Sequence, residues 1–301
     1  MTLPANVAHG IITLSRWTPF RGVGGFGFTD DQMQSSDASV RYAQALAERG
    51  EAATFYRYFP DLPGRFRGRR VLDFGCGYGG KALAYADHAD FVAGVEPFEH
   101  VIALANDFAA HQRVENVEFK VCSQDRIPYP DESFDIVVSH DVLEHVDDPQ
   151  RSLEEIARIL KPGGEAYIVF PPYDGMFSHH LDYASRIPAL HWLFSASTLV
   201  AAVNRLIAVR DVGVAPQPPP RPSWRGDRLV LPQLNGLRGP EFEAMASRLF
   251  GGVRLRYNLV GAHYRRRALG AAVKLALAPL ARLGASMRDR MTMSISAVLT
   301  K

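Results

Sequence analysis

The sequence has few of the features that mark secreted, membrane-spanning or repetitive proteins. Only two of its 301 residues are cysteines, so no disulfide framework is expected and a reducing compartment is the simplest inference. No run of about 18 apolar residues occurs, and no transmembrane helix is therefore predicted. The N-terminus lacks the basic start and apolar core of a signal peptide, and no internal repeat is evident. These absences predict a cytoplasmic globular protein.

The net charge is small, but the charges are unevenly distributed. The chain has 34 Lys and Arg against 32 Asp and Glu, a formal net charge of +2. Residues 205–301 hold 17 of the basic and 5 of the acidic side chains, a net charge of +12, so residues 1–204 carry −10. A basic C-terminal third is compatible with an anionic substrate, a nucleic acid or a membrane surface, and equally with a plain solvated face.

Residues 265–287 predict a basic helix that begins with three arginines and continues with leucines and a valine at helical spacing. Such a helix can rest on a membrane surface or against an anionic substrate, although a stripe of this kind more often faces the core. Nucleic acid is the less favoured partner, because no RNA-binding module is visible and the basic residues are not interleaved with aromatic ones. No feature indicates an oligomeric state.

Short apolar segments alternate with helical patterns between residues 70 and 170. The predicted strands are 70–74, 91–95, 117–121, 135–139 and 165–170, and the predicted helices are 79–88, 97–111 and 149–160. This alternation predicts a mostly parallel sheet with helices on both faces, joined by right-handed crossovers. Ligands of such sheets bind beyond the carboxyl ends of the strands, where the strand order reverses.

The flanking segments divide the remainder of the chain. Four regions are predicted: an N-terminal arm and helical cap (1–64), a ligand-binding core (65–170), an inserted lid (171–239), and C-terminal helices and strands that complete the sheet (240–301). In the cap, residues 36–58 predict a helix on which Val40, Ala43, Leu46 and Ala47 give the apolar spacing. The lid includes one or two helices over 190–209 and an extended Pro-rich stretch at 216–220. The last region has a helix at 240–249 and strands at 253–259 and 291–299.

A glycine-rich turn closes the first predicted strand, in residues 71–80, VLDFGCGYGG. Glycine allows positive φ and lets the backbone pass close to a ligand, and the helix that follows presents free N–H groups. The glycines alone fit either G-x-G-x-G or the dinucleotide pattern G-x-G-x-x-G. Asp73 is poorly placed beside a pyrophosphate but well placed to accept hydrogen bonds from an ammonium group.

This stretch resembles motif I of the class I S-adenosylmethionine (SAM) methyltransferases. Residues 130–146, PDESFDIVVSHDVLEHV, resemble the fourth-strand region of the type 11 methyltransferase family, and residues 153–164, LEEIARILKPGG, resemble its helix and turn into the fifth strand. The motifs together cover about residues 70–171. The resemblance implies a Rossmann-like, doubly wound α/β fold with a mostly parallel seven-stranded sheet, and SAM as the cofactor.

The resemblance implies a SAM site at the carboxyl ends of the first four strands. The residues expected to contact the cofactor are Asp73, Gly75, Cys76, Gly77, Gly79, Glu96, Pro97, Ser123, Gln124, Asp125, His140 and Asp141. Glu96 can accept both hydroxyls of a ribose, a device that dinucleotide enzymes share. Ser123 and Gln124 stand where many relatives have Asp-Ala, so the adenine contact stays open among Ser123, Gln124 and Asp125.

Methyl transfer from a sulfonium is an in-line displacement, for which the enzyme aligns the acceptor and excludes water. A base is needed only when the acceptor must lose a proton. The candidate catalytic residues are His145, His179, His180 and Tyr173. Asp141, Glu144 and His145 are also plausible ligands for a divalent cation, but loop packing by Glu144 and His145 is favoured, and no metal is expected.

The preferred interpretation is a SAM-dependent methyltransferase that acts, by O-methylation, on a small molecule or on a lipid or sugar intermediate with an apolar or ring portion. Two alternatives stay open. One is an NAD(P)-dependent oxidoreductase of the same fold, against which the sequence shows no Tyr-x-x-x-Lys or comparable hydride-transfer pair. The other is a catalytically inactive SAM-binding protein, because Ser123 departs from the family pattern.

Overall fold

The computed structural model describes residues 4–15, 17–18, 35–123, 126–181, 184–208, 220–260, 275 and 277–301. The predicted glycine-rich arm, the stretch before Pro220, the three arginines of the basic helix, and the candidate contacts Gln124 and Asp125 lie outside these residues. The chain divides into two compact units. The sheet unit comprises residues 28–170, 241–256 and 296–301, and the helical unit comprises residues 1–27, 171–240 and 257–295.

The helices and strands agree closely with the predicted ones. The helices are α1 (Ala5–Ser15), α2 (Ala38–Arg41), α3 (Ala43–Tyr58), α4 (Leu62–Arg65), α5 (Gly80–Ala86), α6 (Glu99–Gln112), α7 (Pro149–Ile159), α8 (Leu190–Leu193), α9 (Ala196–Ala208), α10 (Gly239–Leu249) and α11 (Ala285–Met291). The strands are β1 (Arg70–Phe74), β2 (Phe91–Glu96), β3 (Val117–Val121), β4 (Phe134–His140), β5 (Leu160–Phe170), β6 (Ser223–Arg225), β7 (Arg228–Val230), β8 (Gly252–Leu259) and β9 (Thr292–Thr300). The short antiparallel pair β6 and β7 was not predicted.

Seven strands form one sheet in the order β3-β2-β1-β4-β5-β9-β8. The pairs β1–β2, β1–β4, β2–β3 and β4–β5 are parallel. Strand β9 runs against β5, because Gly163 N donates to Lys301 O and Lys301 N donates to Gly164 O, joining the start of β5 to the end of β9. The mostly parallel seven-stranded α/β sheet is therefore confirmed. Its order reverses between β1 and β4, which is where such sheets bind ligands.

Helix α7 shows how the sequence positions the elements beside the sheet. Asp148 caps its N-terminus by accepting from Arg151 N at 3.0 Å, and Pro149 begins the first turn. Leu153, Ile156 and Ile159 are fully buried at helical spacing. Burying each such side chain contributes roughly 1.5–3 kcal/mol, so the amphipathic pattern fixes which face of α7 meets the sheet.

Helix α3 forms where it was predicted, but the predicted apolar face is wrong. The four residues that gave the apolar spacing are exposed: Val40, Ala43, Leu46 and Ala47. The buried side carries a different set: Ala45, Glu48, Ala52 and Phe55. The face that packs is therefore the one with small side chains, which let the backbones of two helices approach closely.

The close approach of α3 occurs at the first residue of α5. A Cβ added to Gly80 would collide with the backbone carbonyl oxygen of Ala45 and would lie 2.7 Å from the backbone nitrogen of Arg49. Gly80 has no positive φ, so its requirement is spatial rather than conformational. The absence of a side chain at Gly80 therefore allows α3 to pack closely against the glycine-rich turn.

The helical unit has its own hydrophobic core. Ala8 and Ile12 of α1 are buried in the same cluster as Leu199, Val203 and Leu206 of α9. Ser15 Oγ lies 2.9 Å from Ser185 Oγ, a hydrogen bond between α1 and the segment that follows β5. No helix among the described residues is long and apolar enough to cross a membrane.

The contact at Gly80 gives a prediction about stability. Gly80→Ala should lower the free energy of unfolding by about 1–3 kcal/mol, because the added methyl group overpacks the α3–α5 contact. The matched control is Gly50→Ala on α3, where an added Cβ meets nothing within 4 Å, and which should stabilise by about 0.5–1 kcal/mol through helix propensity. Urea titration of both variants measures this. Equal midpoints for Gly80→Ala and the wild type would contradict the packing argument.

Candidate functional site

The glycine-rich turn begins directly after β1, at the point where the strand order reverses. Gly75, Gly77 and Gly79 have φ angles of 76°, 52° and 84°, a region that favours glycine. Gly75 N and Cys76 N donate to Val95 O at 2.9 and 3.1 Å, which ties the turn to β2. The backbone is therefore held in a shape that side chains at these positions would oppose.

Each of these glycines also lies close to another part of the sheet unit. A Cβ on Gly75 would collide with Val142, one on Gly79 would lie 2.7 Å from the Phe119 ring, and one on Gly77 would lie 2.9 Å from Glu48 Oε1. The residue types that the turn can accept are consequently restricted by close neighbours as well as by its φ angles. Its backbone N–H groups donate to Val95 O, Cys76 O and the carboxylates of Glu48 and Glu96.

Asp73 is the most deeply buried charge-bearing residue of the site. Its side chain is 1% exposed, and Oδ2 has no hydrogen-bond donor in the structure. Burial raises its pKa to about 7, with Lys81 opposing the shift and Glu48 and Glu96 adding to it. A buried carboxylate oxygen without a donor is costly. An ammonium or hydroxyl group from a ligand would satisfy it, so the residues present fit the predicted cofactor.

Glu96 ends β2 and reaches the same turn. Its Oε2 accepts from Gly77 N at 3.4 Å, and burial raises its pKa. Pro97 follows it and is exposed. Asp73 lies two residues before the first glycine of the turn and Glu96 accepts a hydrogen bond from the turn, and their contacts with the cofactor stay predictions.

Glu48 is a residue of this site that sequence reasoning missed. It is 7% exposed, and its two carboxylate oxygens accept from Tyr78 N at 3.4 Å and from Gly80 N at 3.3 Å. Burial raises its pKa to about 7, against the opposing effect of Lys81. The sequence feature that could have pointed to Glu48 is its position between Ala45 and Ala52, on a helix face of small residues.

Among the described residues, the basic side chain that lies near these three acids is Lys81. It is buried, and its Nζ lies 3.4 Å from the carbonyl oxygen of His140. Its charge lowers the pKa of Glu48, Asp73 and Glu96, although burial outweighs it in each case. Three carboxyl groups therefore share one buried ammonium group.

The predicted adenine end is only partly described. Ser123 is exposed and forms an isolated bridge with Arg126, whose carbonyl oxygen lies 3.5 Å from Ser123 Oγ. Cys122 is buried, and its backbone nitrogen donates to Glu96 O at 3.1 Å. Ser123 is thus attached to the end of β2, and its contact with adenine stays a prediction.

The end of β4 carries the next group of predicted residues. His140 is 8% exposed, its Nδ1 has no hydrogen-bond partner, and its Nε2 lies 3.4 Å from Asp141 Oδ2. Burial lowers its pKa to about 4, with Asp141 opposing and Lys81 adding to the shift. The imidazole is therefore neutral at pH 7. Asp141 has a φ of 57° and its backbone nitrogen donates to Val169 O at 2.9 Å.

Glu144 and His145 lie in the loop after β4. Glu144 is buried, and neither of its carboxylate oxygens has a hydrogen-bond partner. Burial, together with Asp141, raises its pKa well above the usual range. His145 Nε2 lies 3.8 Å from Glu144 Oε1. Of the three candidate metal ligands, Glu144 and His145 thus lie beside each other, whereas Asp141 lies beside His140, and a metal role stays a prediction.

The helical unit contains the other candidate catalytic residues. His179 is buried, its Nδ1 accepts from Leu181 N at 3.1 Å, and its Nε2 lies 3.0 Å from Ile187 O. Because Nδ1 is the acceptor, Nε2 carries the proton and donates it to Ile187. This geometry favours a structural role, since a proton transfer would break one of these bonds.

Tyr173 and His180 lie in the same segment. Tyr173 is bonded through its backbone nitrogen to Leu237 O at 2.8 Å, and burial raises its pKa. His180 is half-buried with a φ of 50°. His191, which was not predicted, is half-buried, and its ring centroid lies 6.1 Å from those of Tyr173 and His179; desolvation lowers its pKa to about 4. The catalytic assignments of Tyr173, His179 and His180 stay predictions.

Comparison with known proteins identifies the sheet unit. Residues 72–168 match the family described as "Methyltransferase domain". The chain is 32% identical over 120 residues to the uncharacterized methyltransferase YcgJ of Bacillus subtilis, a match that covers 39% of this chain and 47% of that protein. It is 36% identical over 101 residues to a ubiquinone biosynthesis O-methyltransferase of Coxiella burnetii, covering 34% of this chain and 43% of that protein.

Among solved structures, that of the Bacillus subtilis YcgJ protein aligns with a TM-score of 0.47 and 19% identity, covering 82% of this chain and 98% of that one. The chain spans less than half the length of the curated relatives it matches. The matched segment contains the glycine turn, Glu96 and the loop after β4. Residues 72–168 are therefore similar to a methyltransferase domain.

The burial of Asp73 gives a prediction about pH. Its pKa in the folded protein is about 7 instead of 3.8, so the folded state holds a proton that the unfolded state releases. The contribution of Asp73 to stability therefore falls as the pH rises from about 4 to 7 and stays low above pH 7. Asp73→Asn should raise the free energy of unfolding of the ligand-free protein by about 2 kcal/mol at pH 8 and by little at pH 4.

Urea titrations at pH 4, 6 and 8 measure this effect, with Asp90→Asn, a change at an exposed acid, as the control. The same Asp73→Asn variant should lose affinity for SAM, because sites that bind charged ligands are often destabilising in the free protein. A variant that is less stable than the wild type at pH 8 would contradict the assignment of a raised pKa.

Proposed function

We propose that the protein transfers the methyl group of SAM to a hydroxyl oxygen of a small molecule or of a lipid or sugar intermediate. The observation that carries the proposal is the orphaned carboxylate oxygen of Asp73 beside the glycine turn, at the reversal point of the sheet. Similarity to a protein described as an O-methyltransferase supports transfer to oxygen. A cytoplasmic location and contact of the basic C-terminal segment with a membrane surface remain predictions from the sequence.

Binding and orientation are the main tasks of the residues around the turn. When bound, SAM supplies a methyl group already activated by the positive sulfur. Asp73 and Glu96 offer acceptors for ammonium and hydroxyl groups, and the unpartnered Oδ2 of Asp73 is the acceptor that the protein itself leaves unused. Fixing the donor while the acceptor approaches in line is worth several powers of ten in rate.

Proton removal from a hydroxyl acceptor needs a base near the end of β4 or β5. His140 is neutral, but its lowered pKa makes it a weak base. The His145 side chain is 37% exposed, so an acceptor can reach it, and its Nε2 lies 3.8 Å from Glu144 Oε1. We therefore assign the role of base to His145 in preference to His140.

The carboxylates at the turn argue against the alternative function, an oxidoreductase. Asp73, Glu48 and Glu96 would repel the pyrophosphate of a dinucleotide, whereas they attract a cationic donor. An inactive SAM-binding protein would keep the same cradle and lack turnover. Ligand binding and turnover therefore distinguish the three functions.

Isothermal titration calorimetry should show SAM binding with a dissociation constant in the range of about 1 μM to 1 mM, where substrates usually fall. NADH and NADPH should give no heat of binding at the same concentrations, because their pyrophosphates meet buried negative charge. Binding of either dinucleotide in the absence of SAM binding would refute the proposal. Labelled SAM incubated with metabolite extracts then identifies the methylated product and excludes an inactive protein.

The base assignment is tested by His145→Gln. This variant should lower the rate of methyl transfer by about 10²-fold and leave the dissociation constant of SAM within twofold. His100→Gln on the exposed side of α6 is the control and should transfer at the wild-type rate. Dialysis against EDTA should leave wild-type activity unchanged. Loss of activity that added Mg²⁺ restores would instead assign Glu144 and His145 to a metal site.

A further inference from the structure

The buried face of α3 carries one charged residue that packing does not require. Ala45, Ala52 and Phe55 share this face with Glu48. Burying a glutamate there costs free energy unless its charge is paired, and an unpaired buried charge often marks a functional site. The turn offers only two backbone N–H groups, at 3.3 and 3.4 Å, which are long for bonds to a carboxylate. Glu48 is therefore held at the turn but not fully satisfied there.

The charges around Glu48 do not balance in the free protein. Glu48 and Glu96 both raise the pKa of Asp73, and Lys81 is the cation that lowers the pKa of all three. The unpartnered Oδ2 of Asp73, which is fully buried in the same cluster, shows that a donor is missing there. A ligand that brings positive charge would complete this arrangement.

We propose that Glu48 is a specificity-determining residue that makes the site prefer the cationic methyl donor over the product that remains after transfer. The inference rests on the proposed function. SAM carries a sulfonium and an ammonium against one carboxylate, a net charge of +1, whereas S-adenosylhomocysteine (SAH) has a neutral sulfur and no net charge. The two molecules are otherwise nearly identical in shape, so charge is the property by which the site can tell them apart.

Glu48 is placed to act on the donor through the turn itself. Its Oε1 lies 2.9 Å from the position that a Cβ of Gly77 would occupy, so it faces the same turn as Glu96, which accepts from Gly77 N. Helix α3 thus adds a third carboxylate to the two that the strand ends supply. Methyl transfer removes the sulfonium charge, which weakens the attraction between these carboxylates and the product and favours release of the product.

A consequence for pH follows from the groups that face Glu48. These are Lys81 on α5, Asp73 on β1, Glu96 on β2, Cys76 and Tyr78 in the turn, and Glu51 on α3 itself. The pKa of Glu48 is raised to about 7 in the free protein, chiefly by burial. A bound cation lowers that pKa, so SAM binding should release protons near pH 7 and should strengthen as the pH rises from 6 to 8.

The test compares the dissociation constants of SAM and SAH by calorimetry for the wild type, Glu48→Gln and Glu51→Gln. Glutamine keeps the shape and polarity of Glu48 and removes its charge, and Glu51 is an exposed acid on the same helix. Glu48→Gln should weaken SAM binding about tenfold and SAH binding less than about threefold. Glu51→Gln should change neither constant by more than twofold.

Proton release is measured on the wild type by titrating SAM at pH 7 in buffers of different ionisation enthalpy, so this arm does not depend on a variant that folds. The wild type should release protons with SAM and fewer with SAH. Equal weakening of both ligands, tighter SAM binding in Glu48→Gln, or equal proton release with SAM and SAH would overturn the inference alone. A wild type that binds neither SAM nor SAH would refute the proposed function as well.

Discussion

The burial of several carboxyl groups around one glycine-rich turn is the constraint on which the site depends. Asp73, Glu48 and Glu96 are held in a region of low polarity with Lys81 as their shared counter-charge. Removing charges from water is costly when their partners are incomplete, so the rest of the sheet unit must stabilise this arrangement. It does so through fully buried strands such as β1 and through helices whose apolar faces cover the sheet.

The topology of the sheet explains why these groups meet. Asp73 is the penultimate residue of β1, and the register places it beside Gly94 of β2 and Val138 of β4. Glu96 and His140 therefore emerge from neighbouring strands at the same edge of the sheet. Glu48 comes from a helix that precedes the sheet in sequence, and the missing side chain of Gly80 decides how close that helix can come. The site thus combines a strand-end pattern with a single helix-packing contact.

The sequence was sufficient for the seven strands of the large sheet, because apolar runs, helical spacing and glycine turns are local signals. It was insufficient for α3, where Val40 and Leu46 suggested a buried face that the structure leaves in solvent. Close packing of alanines against a glycine is a property of two segments together, and neither one shows it alone. For the same reason Glu48 escaped notice, and the hydrogen bonds that engage both nitrogens of His179 could not be foreseen from two adjacent histidines.

The position of β9 affects how the protein is made. This strand fills the place between β5 and β8, although the 121 residues between Phe170 and Thr292 separate it from β5 in the chain. At translation rates of roughly 5–20 residues per second, β5 waits about 6–24 s for its neighbour. During that interval one edge of β5 offers unpaired N–H and C=O groups to other nascent chains. The edge of β5 is therefore open to pairing with other chains until β9 has been made.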